Sequence, residues 1–358
     1  LKHASTPSLE GGFPCPVSVS IDEDTLEYCP VFFGRLIRGV KNGPSPKWLQ
    51  DRLRSIGLRP FSFLVDVTNY FTYDRPLHVF DADKLAGNNL RVSRAKGGET
   101  LVGLDEKEYK FAQNMTLISD VNGVESIGGI MGGLRSSCTE ETVNVFVEAA
   151  YFDPIRTAYT GRALKINSDA RYRFERGIDP SFTPIGLDLA CEMIMEHAGG
   201  EVSSRVQAGT IPSSTRAYRL NAARVQSLVG MEIPESEQRQ TLTALGFRLD
   251  GDMAYVPSWR PDIMGEADLV EEVARVASLT KLVGKPLPRV ISGVPKPVMT
   301  PMQRRQQLAR RRAASLGYNE CVTYSFIDQG AAVLFGGGID TTKLENPISS
   351  DMSHMRPA

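Results

Sequence analysis

The sequence predicts an α+β protein of several domains. Three observations carry this. Strand-like alternation and helix-like periodicity follow one another along the chain. Pro and Gly punctuation separates the stretches. And 358 residues suffice for two or three cores at roughly 150 residues each. A hydrophobic fraction of 41% with 23% charged residues is that of a globular chain, and the net charge of −1 excludes a grossly basic nucleic-acid coat. The five cysteines, at 15, 29, 138, 191 and 321, contain no C-x-x-C. They read as reduced thiols of a cytoplasmic protein, neither a disulfide framework nor a zinc site. No apolar run approaches the ~18 residues of a membrane helix, and Leu1-Lys2-His3 does not open a signal peptide. The absent initiator methionine and the abrupt stop at Ala358 suggest a piece of something longer.

Residues 1–25 are rich in Pro, Gly and Ser and poorly periodic. Ser45-Pro46 is expected to open a helix with Leu49, Leu53 and Ile56 on one face, closed by Gly57. Phe61, Phe63, Val65 and Val67 then alternate with Ser62, Leu64, Asp66 and Thr68, a strand pattern with Thr68 facing away from the Phe/Val side. Further strands are expected at 90–93, 116–119 and 143–148, with Asn122-Gly123 as a hairpin turn. In the last of these Val143, Val145 and Val147 share a face, which leaves Glu148 on the other, beside Phe146. A helix over 184–198 runs between Thr183-Pro184 and Gly199-Gly200. Residues 30–205 thus form one α+β domain.

A smaller unit spans 214–290. Asn221 caps a helix ending at Gly230, Pro234 precedes one ending at Gly246, a hairpin turns at Asp250-Gly251-Asp252, and a last helix covers 266–278. This resembles a small helical or winged-helix-like module. After a Pro-rich linker at 286–301 comes a helix carrying Arg304, Arg305, Arg310, Arg311 and Arg312, read as a solvated face or an RNA-phosphate contact, then a strand at 320–326.

Several chemistries lack their residues. There is no G-x-x-x-x-G-K-S/T, no H-E-x-x-H, no G-x-S-x-G, and only four histidines, at 3, 78, 197 and 354. His197 falls in a helix's last turn, where the dipole favours an imidazolium. Four constellations remain. Asp66 to Tyr70 with Arg75 to Asp81 gathers polar residues at a strand end, for which an Asx-turn loop is the commoner explanation. The two Gly pairs of Gly128 to Gly133 allow a close backbone approach, or a bulged strand. Glu148, costly if buried alone, must either bind something or pair with Arg171, Arg173 or Arg176. Finally, Asp268, Glu271 and Glu272 stand at i, i+3 and i+4 with Asp262 just before them. Three carboxylates on one face suit an oxygen-seeking cation such as Mg²⁺, or a solvated first turn with Arg275 paired to Glu271.

Together these segments resemble the β subunit of bacterial phenylalanyl-tRNA synthetase. The resemblance rests on DVTNY (66–70), RPLHVFDADKL (75–85), GGIMGG (128–133), VEAAYFDP (147–154), DARYRFERGIDP (169–180), SWRPDI (258–263), EADLVEEVAR (266–275), TYSF (323–326) and ENPISSDMSHMRP (345–357). It implies a remnant of the N-terminal B1 domain at 1–25, a B3/B4 editing domain of β-sandwich and α layers at 26–207, and a B5 domain at 214–290. A truncated class II synthetase-like B6 domain at 295–358 follows. It also implies an α subunit as partner in an α2β2 heterotetramer, tRNA(Phe) as RNA partner, and no membrane. ATP would be used at the α-subunit site, so this chain alone should not charge tRNA.

The editing activity the resemblance implies is hydrolysis of tyrosine wrongly attached to tRNA(Phe). A pocket built for Phe rejects an added hydroxyl only about a hundredfold, so a second site must select for that hydroxyl. Glu148 matches the residue that binds it. Gly132, Ser168 and Ala170 match pocket-lining positions, with Gly129 slightly earlier in the same loop. Ser168 stands where a threonine is common. Arg59, Thr68, Asn69 and His78 match residues that hold the tRNA 3′ end and the ester, and water is expected to attack directly, positioning being the main contribution. Between Thr68 and His78 this sequence is two residues shorter than the family pattern. Asp262, Asp268, Glu271 and Glu272 match carboxylates assigned to Mg²⁺, in a site shared with the α subunit. Two competing readings remain: a non-catalytic tRNA-binding and assembly module, and a metal-dependent hydrolase centred on Asp262 to Glu272.

Overall fold

The computed structural model describes residues 9–73, 76–288 and 298–357. Residues 1–8, the Asp74-Arg75 pair, residues 289–297 and Ala358 lie outside the described residues. The chain forms two compact units, Leu1–Val283 and Gly284–Ala358.

The first unit begins with β1 (Ser18–Ile21), β2 (Val31–Arg38), α1 (Lys47–Ser55), α2 (Phe63–Thr72), β3 (His78–Asp81) and β4 (Asn89–Arg94). Then come β5 (Thr100–Val102), β6 (Glu108–Lys110), β7 (Thr116–Asp120), β8 (Gly123–Ile127), β9 (Met131–Gly132) and β10 (Asn144–Tyr151). Helices α3 (Pro154–Ala163), α4 (Asp169–Phe174) and α5 (Thr183–Ala198) lead to β11 (Glu201–Val202) and β12 (Val206–Gly209). One sheet has the order β1-β4-β7-β8-β9, and a second has β11-β2-β10-β3, with β12 also on β2.

Strand β10 organises this architecture. It pairs antiparallel with β2 along its whole length and with β3 on its other edge. Its side chains alternate between two cores, as the period-2 pattern requires. Val145, Val147 and Ala149 pack with Phe33 and Ile37 of β2 and with Leu49, Leu64, Val67, Leu187 and Ile194 of α1, α2 and α5. Phe146 and Ala150 pack the other way, with Phe32, Phe80 and the first sheet's Leu90, Val92 and Ile118. The second sheet is therefore a middle layer, covered by helices on one face and by a sheet on the other.

A buried ion pair ties these layers together. Arg35 of β2, 2% exposed, donates from Nε to Asp188 of α5 at 2.8 Å, and from its two terminal nitrogens to the carbonyls of Ser203 (2.6 Å) and Leu9 (2.5 Å). Arg205 adds a second cation 3.3 Å from Asp188.

Residues 61–68 do not form the expected strand: most of them enter α2. The apolar positions that alternate also satisfy helical spacing, since Phe63, Leu64, Val67 and Phe71 are the buried ones. The helix start is capped from outside, which the local sequence hides. Asn42 Oδ1 accepts the Leu64 N–H (3.1 Å), and the buried Asp66 carboxylate accepts the Phe61 N–H (2.8 Å) and the Ser45 hydroxyl (2.5 Å). Ser45 is thereby a partner of Asp66, and the cap position of α1 belongs to Pro46, with no side-chain bond.

The rest of the first unit continues with β13 (Arg216–Arg219), α6 (Ala222–Val229), α7 (Glu235–Ala244), β14 (Arg248–Asp250), β15 (Met253–Val256) and α8 (Glu266–Ala277). Asn221 caps α6, and Gly230 ends it in the left-handed region at φ 79°. The sheet order is β13-β15-β14, so the hairpin gains a third strand. In the second unit, α9 (Pro301–Ser315) carries the arginine run on a fully exposed helix with a Thr300/Gln303 capping box. Then follow β16 (Phe326–Ile327), α10 (Gln329–Leu334) and β17 (His354–Met355). The strand expected over 320–326 shrinks to the two residues of β16, which among the described residues pair with β17. Among the described residues no helix is long and apolar enough to cross a membrane.

We expect Asp188→Ala to lower unfolding free energy by about 3–5 kcal/mol in urea titrations, because it leaves Arg35 buried without its carboxylate. The double change Arg35→Met, Asp188→Leu should cost less than Asp188→Ala alone. If Asp188→Ala is neutral, the ion pair does not hold the layers together.

Candidate functional site in the central sheet

The candidate site is built around β10. Glu148 stands opposite Gly34 of β2 and His78 of β3. It is 4% exposed, and its Oε2 has no hydrogen-bond partner. The ring of Phe146 lies so close to Gly34 that a Cβ there would fall 2.0 Å from its Cζ. The His78 ring meets Phe80 edge-on at 4.6 Å.

The glycine-rich turn closes over His78. A Cβ at Gly132 would lie 2.4 Å from His78 Cε1, so only glycine admits the imidazole against this strand. Gly129 has φ +69° and would press a Cβ onto Phe152 and Phe174 at 3.0–3.1 Å. The Ser168 hydroxyl donates to the Ile130 carbonyl (2.6 Å) and accepts the Arg171 N–H (3.1 Å), which both caps α4 and ties it to the turn. Ala170 packs into the same core as Phe152 and Phe174. Gly129, Gly132, Ser168, Ala170, His78 and Glu148 thus belong to one neighbourhood.

The remaining expected residues lie on its flank. Thr68 and Asn69 are half-buried on α2, which packs against β3 and α4. Because α2 is a helix, the Thr68 hydroxyl donates to its own helix, to the Val65 carbonyl at 2.7 Å. Arg59 is exposed in the preceding loop. The three arginines are engaged elsewhere: Arg171 and Arg176 pair with Glu175, and Arg173 with Asp169. Among the described residues none of them reaches Glu148. Phe80 against His78, and Phe152 and Phe174 against Gly129, are buried aromatic neighbours that reading motif by motif missed. Their signal was present, as each lies inside or next to a glycine, histidine or glutamate motif.

Burial sets the protonation states. It pushes the Glu148 carboxyl up to about 8 and the His78 imidazole down to about 4. Between those values both are neutral, so the site offers a carboxylic acid and an imidazole in apolar surroundings. Burial, then the Glu148 charge, also pushes the Cys29 thiol up. Cys29 is therefore no thiolate, and the Ser168 hydroxyl is committed to Ile130. Neither is an activated nucleophile.

The acidic helix is arranged differently. Arg260 grips Asp262 through Nε (2.8 Å) and a terminal nitrogen (2.5 Å), and also reaches the buried Glu272 (2.7 Å). Arg275 bonds both oxygens of Glu272 (3.1 and 2.8 Å), and Asp268 accepts the Met264 N–H (2.7 Å). Hydrogen bonds from these arginines hold Asp262 and Glu272 below the usual carboxylate range. Among the described residues no group of three or more His, Cys, Asp or Glu side chains is arranged to hold a metal. With Arg260 already in the place of a cation, these four residues do not fit Mg²⁺ as they stand. Glu271 is exposed, and the expected Arg275–Glu271 pairing is instead Arg275–Glu272.

The layered domain and the three-stranded module after it each match a domain family, the second of them a tRNA synthetase domain. The B3/4 domain family matches residues 28–199, the tRNA synthetase B5 domain 218–278, and the phenylalanyl tRNA synthetase beta chain CLM domain 288–358. The phenylalanine–tRNA ligase beta subunit of Ruegeria pomeroyi is 69% identical over the whole chain, which covers 45% of that protein. That of Cereibacter sphaeroides is 63% identical with the same coverage, and that of Paramagnetospirillum magneticum 50%, covering 46%. A crystal structure of an N-terminal fragment of the Pyrococcus horikoshii β subunit aligns at 16% identity and TM-score 0.36, covering 75% of this chain and 76% of that one. The chain belongs to the phenylalanine–tRNA ligase β-subunit family, and spans less than half the length of these full-length relatives.

Two expectations follow. The native state keeps a proton on Glu148 that the unfolded chain releases above about 4.5, so stability falls as pH rises from there towards 8. It refuses one on His78 that the unfolded chain takes below about 6.5, so stability also falls as pH drops towards 4. Glu148→Gln should therefore raise the melting temperature more at pH 8 than at pH 5, and equal gains would show that the carboxyl is not held neutral. Arg260→Ala should cost about 1–3 kcal/mol by leaving Glu272 short of a partner, while EDTA leaves the wild-type melting curve unchanged. A curve shifted by EDTA would show that a cation holds this helix.

Proposed function

We propose that this chain hydrolyses the ester of tyrosine mistakenly attached to tRNA(Phe). The observation that carries the reading is Glu148 Oε2, a buried polar atom without a partner on the same face of β10 as the buried Phe146. A buried group left unsatisfied costs about 1–3 kcal/mol, which a ligand recovers only if it brings a hydrogen-bonding group to that point. A tyrosyl side chain does so with its phenol; a phenylalanyl side chain does not. The corresponding preference is about 5- to 150-fold. Because Glu148 is neutral, it can donate to the phenol oxygen or accept its proton.

In this reading Gly129, Gly132, Ser168 and Ala170 shape the aromatic slot, each by what it permits or ties. His78, uncharged at neutral pH, is a poor general base and a suitable orienting group for water or the terminal ribose. Thr68 and Asn69 on α2, with Arg59 near its start, hold the 3′ end, Arg59 by phosphate pairing. Water attacks the ester carbonyl, the bond to the ribose oxygen breaks, and tyrosine and a free ribose hydroxyl leave. Association with an α subunit in an α2β2 assembly, ATP-driven charging of tRNA(Phe) and a cytoplasmic setting belong to the whole enzyme in the same proposal. No part of it rests on a cation at Asp262 to Glu272.

The test is deacylation of Tyr-tRNA(Phe) and Phe-tRNA(Phe) by the 358-residue chain. Tyrosine should be released, phenylalanine largely spared, and Glu148→Ala should erase most of the 5- to 150-fold difference. Full binding of Tyr-tRNA(Phe) without hydrolysis would instead make the chain a binding and assembly module.

A further inference from the structure

One surface feature beside the site has no role in the chemistry above. Tyr73, at the end of α2, faces Arg173 of α4, whose Cζ lies 3.9 Å from its ring centroid. The same Cζ is 5.8 Å from the ring of Tyr172, and Arg176 covers that ring at 3.6 Å. Tyr73, Arg173, Tyr172 and Arg176 thus form a continuous ladder of alternating rings and guanidinium groups. It is open to solvent: Tyr172 is 52% and Tyr73 42% exposed. Tyr172 and Arg173 stand on the helix that Ser168 ties to the glycine turn, so their position relative to the site is set by the same contacts.

The charge around it is out of keeping with the chain. Between residues 154 and 176 there are six basic residues and two acidic ones, in a chain whose net charge is −1. The two acids, Asp169 and Glu175, pair with arginines of α4, which leaves the surplus positive. A protein has little internal use for two exposed tyrosines stacked with arginines, because each such pair contributes only about 0.5–1 kcal/mol at an exposed site. Flat rings and guanidinium planes within a positive field are what unpaired nucleobases stack on.

We infer that this ladder is a stacking platform for the unpaired 3′ end of an RNA, with Tyr172 as the principal base-stacking residue and Arg176 as a phosphate or base contact. The inference rests on the RNA substrate proposed above and names positioning residues for it. Selectivity for the amino acid stays with Glu148. The ladder reads no sequence, since every base offers a π face.

The experiment uses an uncharged, fluorescently labelled, unpaired RNA ending in CCA, and the same RNA closed into a blunt duplex, with binding followed by anisotropy. Tyr172→Ala should weaken binding of the unpaired RNA by about 5- to 150-fold, the range of base–aromatic stacking, and leave duplex binding unchanged. Tyr172→Phe keeps the ring and should bind like wild type. Arg176→Ala should lower the slope of log affinity against log salt by about 0.7 if it meets one phosphate. Circular dichroism melts of each variant exclude unfolding. Wild-type affinity in Tyr172→Ala, or equal losses in Tyr172→Ala and Tyr172→Phe, would overturn the platform. The editing reading is tested separately with 3′-O-tyrosyl adenosine and the unmodified chain. If that ester survives while Tyr172 governs RNA binding, the platform stands and the hydrolase falls.

Discussion

A strand buried on both faces has no outward side on which to place a polar residue. Strand β10 is such a strand, with helices against one face and a second sheet against the other. Its register is strongly specified, because a slip of one residue would send the valines into the Phe layer and the Phe/Glu face into the helical core. Glu148 is held in that register between Gly34 and His78 and is buried there. The neutral carboxyl and the unpartnered oxygen both descend from this constraint.

The same sheet carries a second buried polar group, and the contrast separates structure from function. Arg35 lies on the helical side of β2 and is satisfied by Asp188 and two carbonyls, a closed network with nothing left to offer. Glu148 lies on the sheet side with no cation among the described residues, although Arg171, Arg173 and Arg176 stand on or just after nearby α4, each paired with Asp169 or Glu175. A buried charge that serves stability acquires partners, since leaving one unpaired is costly. One left open spends stability to keep a bond available. That cost is limited here because Glu148 stays protonated, so the fold carries an unmet hydrogen bond and not a buried charge.

Where the signals are local, the sequence was legible. The two faces of β10, the Asn122-Gly123 hairpin, α5 and the capped helices of the 218–278 module all follow from periodicity and end residues within a few positions of one another. What escaped depends on distant partners. Helix α2 reads as a strand because Asn42, more than twenty residues away, supplies its first-turn acceptor. Glu148 left two alternatives, an arginine or a ligand, and only the fold shows the arginines turned elsewhere. The carboxylates of α8 are spaced as i, i+3 and i+4, yet spacing does not reveal that Arg260 crosses from the preceding loop to bind two of the set. The short strand at Phe326–Ile327 has β17 as its sheet partner, so a propensity run over 320–326 finds no ladder to join.

The distribution of charge across the site region ties these features to the reaction proposed for it. A pocket that must tell two amino acids apart by one hydroxyl gains little from net charge, which would bind both alike; an uncharged interior with a single unmet hydrogen bond makes the hydroxyl the deciding term. The RNA to which both are attached is the same, so affinity for it can come from elsewhere without touching selectivity. The excess of basic residues over 154–176 lies outside the aromatic slot, on α3 and α4. Ser168 joins the two regions mechanically, capping the helix that carries the arginines while bonding the turn that roofs His78. In the proposed reaction, binding energy gathered on the charged rim would position an ester over the uncharged site, the division of labour that positioning catalysis without a protein nucleophile requires.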